Sequence, residues 1–453
     1  MGTSIVNDPA PGGLDRRQLL VRGGLLVGAS SLSAVGGYVV GREVAERDGT
    51  SLGAPHLSAS GFALDPDHVN LTTFLLASHP RPVKDAIERH RRALDANAAL
   101  YLREWEAALE DAARAAAAAY LGGEPQHVAL TDSTTMGLGL VYSRLRLKAG
   151  DEVVTTEHDF YATYEALRLR SELDGVRIRR IRLYDEPESA SVDSIATAVA
   201  RALGTRTRCL ALTWVHSSTG VKLPLREIAD AVVRANRGRR EDERILLCVD
   251  GVHGFGIEDA SPVELGADVF VSGCHKWLFG PRGTGLIWAA PHAWERLDPT
   301  IPTFDRRAYR AWIEGRPPTD TPPGPLMTPG GFHSFDHRWA LTDAFAFHRD
   351  LGGRAKVADR THVLAARLKR GLAEIGGVRM KTPSAQELSA GLVCADVVGM
   401  AALEVVDRLR EEHRVVASVT PYARQYLRFG PSVANSEEDV DRAIQAVATV
   451  SGR

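Results

Sequence analysis

The sequence predicts an α/β fold whose large domain is built on a mainly parallel, seven-stranded sheet with helices on both faces, followed by a smaller C-terminal α/β domain. Three observations predict it. Seven short β-rich runs, residues 128–130, 152–155, 177–183, 209–215, 245–249, 269–271 and 285–288, alternate with helix-forming stretches such as residues 225–237, the pattern of parallel strands covered on both sides. A chain of 453 residues exceeds what one hydrophobic core supports, so two domains with appendages are expected. After a Pro-, Arg- and Asp-rich stretch at 299–329, which reads as a loop or connector, helical patterns at 340–350 and 355–374 precede weaker strands and an amphipathic helix from Ser436.

Taken in chain order, "LDRRQLLVRGGLLVGASSLSAVGGYVVG" places Arg16 and Arg17 before a weakly apolar stretch rich in Gly and Ser. This resembles a twin-arginine export signal. The apolar part, residues 25–40, is shorter than the roughly 20 residues a spanning helix needs. Residues 1–47 are therefore expected to be signal and linker, with delivery to the periplasm or the exterior by the twin-arginine machinery, or a membrane tether if the signal is retained. Residues 48–320 are the expected arm and large domain, and 321–453 the small one. The run "VKDAIERHRRALDANAALYLREWEAALEDAARAAAAAYLGG" from Val83 is rich in helix formers and ends at Gly122 and Gly123. It reads as two helices.

Charge is nearly balanced, 55 Lys and Arg against 57 Asp and Glu with a pI of about 6.7. No basic footprint for nucleic acid exists, and a small polar ligand fits better. The four cysteines, Cys209, Cys248, Cys274 and Cys394, are far apart and lack the paired spacing of a zinc site, so they read as buried thiols and no metal is expected.

Ligands of parallel sheets lie beyond the carboxyl ends of the strands, so the polar residues after each apolar run carry the functional reading. After 128–130 comes "TDSTTMGLG", where Ser133, Thr134, Thr135 and the first helical amides suit a phosphate; a plain N-cap explains such a run equally. After 152–155 comes "TEHDFYATYEA", with His158 placed to lie flat on a ring, or simply in a surface turn. After 245–249 comes "VDGVHGFG", in which Asp250 leaves a buried strand with no Lys or Arg nearby in sequence. A buried carboxylate needs a cation, and a protonated ring nitrogen is one. After 269–271 comes "GCHKWLFGPRGTG", where Lys276 stands among apolar residues. Desolvation disfavours its ammonium, so the lysine is either paired or used as an amine. Phosphate cradle, stacking histidine, ring-nitrogen carboxylate and Schiff-base lysine, in that order, are the parts that hold pyridoxal 5′-phosphate.

These stretches, with the late "YLRFGPSVANSEEDVD", resemble the class-V aminotransferase family of fold-type-I pyridoxal-phosphate enzymes, which includes cysteine desulfurases and isopenicillin N epimerase. The resemblance spans about residues 71–448, and the Cys-His-Lys-Trp-Leu form around Lys276 is most similar to the epimerase branch. It implies that Lys276 forms the internal aldimine, that Asp250 pairs with the pyridine nitrogen, that His158 stacks on the ring and that His253 reaches the phenolic oxygen. It places Thr134, Thr135, Ser272 and His275 on the phosphate side, and implies a homodimer with phosphate contacts crossing between subunits. Two departures matter. "TPGGFHSF" differs from the family's short threonine loop, which leaves Thr328 and Ser334 without a clear role, and "HSSTG" puts Ser217 where desulfurases carry Asn. Arg428 matches the arginine that holds a substrate α-carboxylate, a job suited to a guanidinium fork.

The implied function is pyridoxal-phosphate chemistry on the amino group of an amino acid or a metabolite derived from one, of aminotransferase type, with epimerisation or C–S or C–N lysis as alternatives. A non-catalytic binding protein of the same fold is the rival from another class. No cysteine lies between Ala395 and Leu427, which disfavours sulfur transfer through an enzyme persulfide. Export of a folded, cofactor-loaded enzyme suits a secreted peptide-like substrate; the functional parallel is an exported family member that modifies the acyl side chain of the siderophore pyoverdine.

Overall fold

In a strand, successive side chains point to opposite faces, and that alternation sorts this core into two layers. The computed structural model describes residues 61–452; the twin-arginine stretch and its linker lie outside the described residues. After a two-residue strand β1 (Val69–Asn70), seven strands form the central sheet: β2 (Val128–Thr131), β3 (Glu152–Thr156), β4 (Arg177–Ile181), β5 (Thr207–Thr213), β6 (Leu246–Asp250), β7 (Val269–Gly273) and β8 (Gly285–Ala289). Their spatial order is β2-β8-β7-β6-β5-β3-β4. Every neighbouring pair is parallel except those of β8, which runs antiparallel to β7 and β2. All seven runs read from the sequence are therefore strands.

On one face Val154, Leu210, Leu212, Leu247, Val249 and Phe270 meet apolar residues of helices Arg81–Leu121, Val192–Ala202 and Leu225–Ala235. On the other, Val153, Cys209, Ala211, Cys248 and Val271 meet helices Thr134–Arg144 and Tyr161–Asp174. Both faces are covered, which is why the strands are apolar along their whole length and not alternating.

The long helix Arg81–Leu121 is two segments, as its composition suggests. They meet at Asn97, whose φ of −164° and ψ of 87° are not helical, and whose side-chain oxygen accepts the Leu100 amide at 3.1 Å to start the second segment. Gly122, at φ 73°, ends it.

The C-terminal part has an antiparallel sheet of its own, in the order β12-β13-β10-β9, from β9 (Val378–Met380), β10 (Val393–Val397), β12 (Ser418–Val419) and β13 (Leu427–Phe429). Helices Gly353–Ala373, Ala402–His413 and Glu437–Val450 bury their apolar stripes against it. Strand β1 pairs in parallel with β11 (Val415–Val416), so the arm that precedes the large sheet returns to the far end of the chain. One expectation is corrected: residues 299–329 are not plain connector but contain helices Arg306–Ile313 and Pro323–Met327. Asp305 caps the first by accepting the Arg307 amide at 2.9 Å, and Pro323 occupies the first position of the second, where a missing N–H costs nothing.

The polar ends of the strands are held in register by Asp159, which is fully buried. Its Oδ2 accepts from the Thr155 hydroxyl and from the Thr156 amide and hydroxyl, each at 2.7 Å, and its Oδ1 accepts the Thr213 amide at 2.7 Å. One carboxylate thus ties β3 to β5 and fixes the turn that carries His158. Asp159→Asn would turn an amide N–H toward these donors. We expect it to destabilise the chain by about 2–4 kcal/mol, the range for losing charge-assisted hydrogen bonds inside a protein, measured as the change in urea unfolding free energy; an unchanged midpoint would remove Asp159 from this role.

Candidate active site

The carboxyl ends of β2, β3, β5, β6 and β7 deliver the site. Helix Thr134–Arg144 begins just beyond β2 with Ser133 as its cap, the Ser133 hydroxyl accepting the Met136 amide at 3.1 Å. The helix lies close against β7 because residue 137 is Gly: a Cβ there would meet Val271 Cγ1 at 2.4 Å. At the helix start the Thr134 hydroxyl accepts the Gly273 amide at 2.7 Å, joining the helix to the end of β7. The first amides of the helix have no intrahelical acceptors, which makes this end a cradle for an anion. Thr135 is exposed. Ser272 is fully buried and its hydroxyl donates to Gly273 O at 3.0 Å, so it serves the strand's own backbone.

Asp250 ends β6 and is 3% exposed. Among the described residues its carboxylate accepts one hydrogen bond, from the Val252 amide at 3.1 Å. Burial pushes its pKa up to about 6, against the pull of Val252 and of the Lys276 charge. Lys276 follows β7 by three residues and is largely enclosed. Burial brings its pKa down to about 8, with Asp250 opposing and Arg428 adding to the fall. Asp250 and Lys276 feel each other's charge, yet among the described residues neither makes an ion pair.

His253 is buried, and desolvation keeps it neutral, its pKa well below the usual range. Its Nδ1 faces the Trp277 indole N–H at 3.4 Å, which directs the ring proton to Nε2 and makes that nitrogen a donor. His158 has its pKa lowered by desolvation, and its ring stacks on Tyr184 with centroids 4.0 Å apart and planes 14° apart. His275 follows Cys274 with its pKa also lowered by desolvation.

Arg428 projects from β13 and is 3% exposed. Its Nε donates to the Ser418 hydroxyl at 3.1 Å and a terminal nitrogen to Ser217 O at 3.2 Å, while its Cζ lies 4.5 Å from the centre of the Phe74 ring. Among the described residues it has no carboxylate partner. Ser217 carries its hydroxyl 2.7 Å from that of Tyr422, a residue with no motif to announce it, brought in by the Thr420–Tyr426 loop of the small sheet. Thr328 is spoken for within its own chain: its hydroxyl accepts the Leu130 amide at 3.1 Å and donates to Gly324 O at 3.0 Å. Ser334 is exposed. A cavity of about 640 Å³ between helix Arg81–Leu121 and residues 303–333 touches none of the strand-end residues above except Thr328.

The donor set fits pyridoxal phosphate. Among the described residues His158 Nε2, His275 Nδ1 and the hydroxyls of Thr213 and Ser218 are buried without a hydrogen-bond partner, and Asp250, Lys276 and Arg428 are enclosed charges without ion pairs. Such groups stay buried where a ligand completes them. A protonated ring nitrogen, a ring face, a phosphate, an aldehyde and a carboxylate complete these.

The chain is similar to known proteins along nearly this whole span. The Aminotransferase class-V family matches residues 77–443. Isopenicillin N epimerase from Streptomyces clavuligerus is 29% identical over 402 residues, which cover 86% of this chain and 96% of that protein. The L-cysteine desulfhydrase-like protein lolT2 from Epichloe uncinata is 27% identical over 255 residues, 55% of this chain and 53% of that protein. Among solved structures, the cystine C–S lyase C-DES, described in complex with cysteine persulfide, superposes with a TM-score of 0.76 at 21% identity over 84% of this chain and 98% of that one, which shows the shared fold. With its strands in this order and the family match running through all five strand ends, the chain belongs to the class-V aminotransferase family, whose enzymes work with pyridoxal 5′-phosphate.

Proposed function

We propose that this pyridoxal-phosphate enzyme acts on the amino group of an amino acid, or of a metabolite that keeps an amino-acid end, with aminotransferase-type chemistry. The observation that carries the reading is Arg428, a buried guanidinium with no carboxylate partner among the described residues, in electrostatic reach of Lys276. A desolvated fork of that kind is a receptor for a substrate carboxylate. Asp250 would hold the ring nitrogen, His158 the ring face, and His253, donating from Nε2, the phenolic oxygen. The Ser133–Thr135 turn with its free amides, and His275, would hold the phosphate, and Ser217 the wall between cofactor and Arg428. The bound cofactor supplies an electron sink for a bond broken at the carbon beside the amine.

The chain's own residues supply the rest. Asp250, with pKa near 6 when alone, is drawn down by a cationic partner and so keeps a proton on that partner. Lys276 loses its proton near pH 8, which lets it act as an amine and then as a proton carrier within the ordinary pH range. Epimerisation is the second reading, favoured by the 29% identity to isopenicillin N epimerase; both reactions need the same carrier and differ in where the proton returns.

A substrate screen separates these readings from a non-catalytic binding protein. Purified enzyme should show the visible band of bound cofactor, amines should shift it, and keto products or loss of optical activity should follow; Lys276→Ala should lose the covalent link. Arg428→Lys should leave the band intact and lower kcat/KM on free α-amino acids about 10- to 100-fold, the equivalent of one charge-assisted pair. Equal rates on free and carboxyl-amidated substrates would refute the carboxylate role.

Stability against pH tests the state of Lys276. Without cofactor the folded chain releases this proton near pH 8 and the unfolded chain near 10.5. Between those values the unfolded state binds more protons, so the Lys276 contribution is destabilising below about 8 and relieved as pH rises toward 10.5. Asp250 has the opposite slope at lower pH, since its folded pKa is raised from 3.8 to about 6. Cofactor-free Lys276→Met should be more stable than the parent at neutral pH, with the gap closing through that upper window in urea unfolding. Parallel curves would mean an ammonium at ease.

For assembly and location, we infer a homodimer exported through the Arg16–Arg17 signal. Trp105, Phe304, Tyr309, Trp312 and Phe332 are each about half exposed or more, Phe332 at 89%, an aromatic surface of the kind that marks an interface. Cell fractionation followed by light scattering should recover a dimer outside the cytoplasm; export that survives the combined Arg16→Lys and Arg17→Lys substitutions would overturn the signal, and a monomer with full cofactor would overturn the dimer.

A further inference from the structure

The His158 ring has two faces, and the chain's own aromatic residues cover one of them. Tyr184 lies 4.0 Å from it and nearly parallel. His216 lies 5.2 Å from His158 and 6.0 Å from Tyr184. Seen from His158, those separations set Tyr184 and His216 about a right angle apart, so they flank the imidazole and do not sandwich it. Among the described residues no aromatic ring stacks on the opposite face.

Tyr184 is itself held. It is 7% exposed, with its ring in the core beside Leu183 and Ile195. Its hydroxyl is 2.8 Å from His216 Nδ1 and 3.1 Å from the Thr219 hydroxyl. The Thr219 oxygen also accepts the Val221 amide at 3.4 Å, which ties this hydroxyl to the backbone of its own turn. His216 is fully buried and neutral, desolvation holding its pKa well below the usual range. Thr219, Tyr184 and His216 therefore form one buried hydrogen-bonded chain from a backbone amide to an imidazole. Its terminal nitrogen, His216 Nε2, is buried with no partner among the described residues. A phenol held at its hydroxyl by two partners cannot swing that end of its ring away without breaking both.

We propose that Tyr184 is a positioning residue for the cofactor: its ring sets the height and tilt of His158, so that the imidazole's open face meets the pyridine, and the Thr219–Tyr184–His216 hydrogen bonds lock that tilt. The assignment rests on the reading that His158 stacks on the cofactor. It makes the chain's contribution a two-ring stack instead of a single histidine, with the outer ring anchored in the core of the sheet.

The test compares holoenzymes of the parent, Tyr184→Phe, Tyr184→Leu, His158→Ala and the His158→Ala/Tyr184→Leu double variant. Cofactor affinity is read by dialysis against graded pyridoxal phosphate, and cofactor orientation by the circular dichroism of its visible band. Tyr184→Leu should hold cofactor about 3- to 10-fold more weakly, the range of one aromatic pair, with a smaller dichroic band. Tyr184→Phe keeps the ring and loses the lock, so its affinity should stay within about twofold while the band shrinks, and it serves where the leucine variant does not fold by far-ultraviolet dichroism. In the His158→Ala background Tyr184→Leu should add nothing. An undiminished effect in that background, or parent-like values in both Tyr184 variants while His158→Ala is impaired, overturns the role of Tyr184 alone. Parent-like values in His158→Ala overturn the stacking role of His158 and this proposal with it.

Discussion

Three charges, Asp250, Lys276 and Arg428, are taken out of water without an opposite charge in contact among the described residues, and the rest of the structure is arranged around that fact. A desolvated charge left alone is among the most destabilising features a fold can carry. The chain could have paired Lys276 with Asp250, since they leave neighbouring strands and each shifts the other's titration. They are kept from forming an ion pair, and among the described residues Arg428 is satisfied by neutral oxygens at Ser418 and Ser217. Under the proposed function a pyridoxal ring with an amino-acid substrate would supply the missing signs, a cation at the ring nitrogen, a carbonyl for the amine and a carboxylate for the guanidinium. Ligand binding then stabilises the folded state as well as starting the chemistry.

Holding such charges apart requires a backbone that does not relax toward pairing. The Lys276 loop is built that way. Phe279, three residues on, has φ 56°, a left-handed conformation that a bulky residue adopts only when its surroundings impose it. Its ring is gripped by Phe62 at 4.9 Å and by Phe347 and His348 at 6.2 Å. Gly280 then returns its amide to Cys274 O at 2.8 Å, and a Cβ at Gly280 would lie 2.7 Å from that same oxygen. The loop is therefore closed on both sides of the lysine. At the opposite strand, Asp159 does for β3 and β5 what this loop does for β7.

How much of this is legible in the sequence depends on the span of the contact. The seven strands announce themselves because burial on both faces demands unbroken apolar runs, and Lys276 and Asp250 because a lone charge after such a run is chemically conspicuous. Arg428 is conspicuous only through its motif, since a strand arginine is ordinary on a surface. Tyr422 and Tyr184 carry no signal: one meets Ser217 across 205 residues and the other meets His216 across 32, distances over which no local pattern reports a contact. Asp159 was adjacent to a residue of interest, but its four acceptor bonds depend on β5 lying beside β3, which order of strands alone does not state. Residues 299–329 misled because prolines that begin helices look, in a string, like prolines that break them.

The same contacts narrow the chemistry. Cys394 lies directly opposite Arg428 in the β10–β13 register, so a thiol does stand near the buried guanidinium. A persulfide requires a thiolate that can move to the substrate sulfur. Cys394 is fully buried in a regular strand, its amide is tied to the Thr382 hydroxyl at 2.8 Å, and burial raises its pKa to about 12 despite the arginine. It offers neither the charge nor the reach. The residues around Arg428 that do combine reach with a transferable proton are hydroxyls, Ser217 and Tyr422, and burial raises the phenol's pKa further. An amine of pKa near 8 and a pair of hydroxyls are the proton-bearing groups that the proposed chemistry at carbon would draw on.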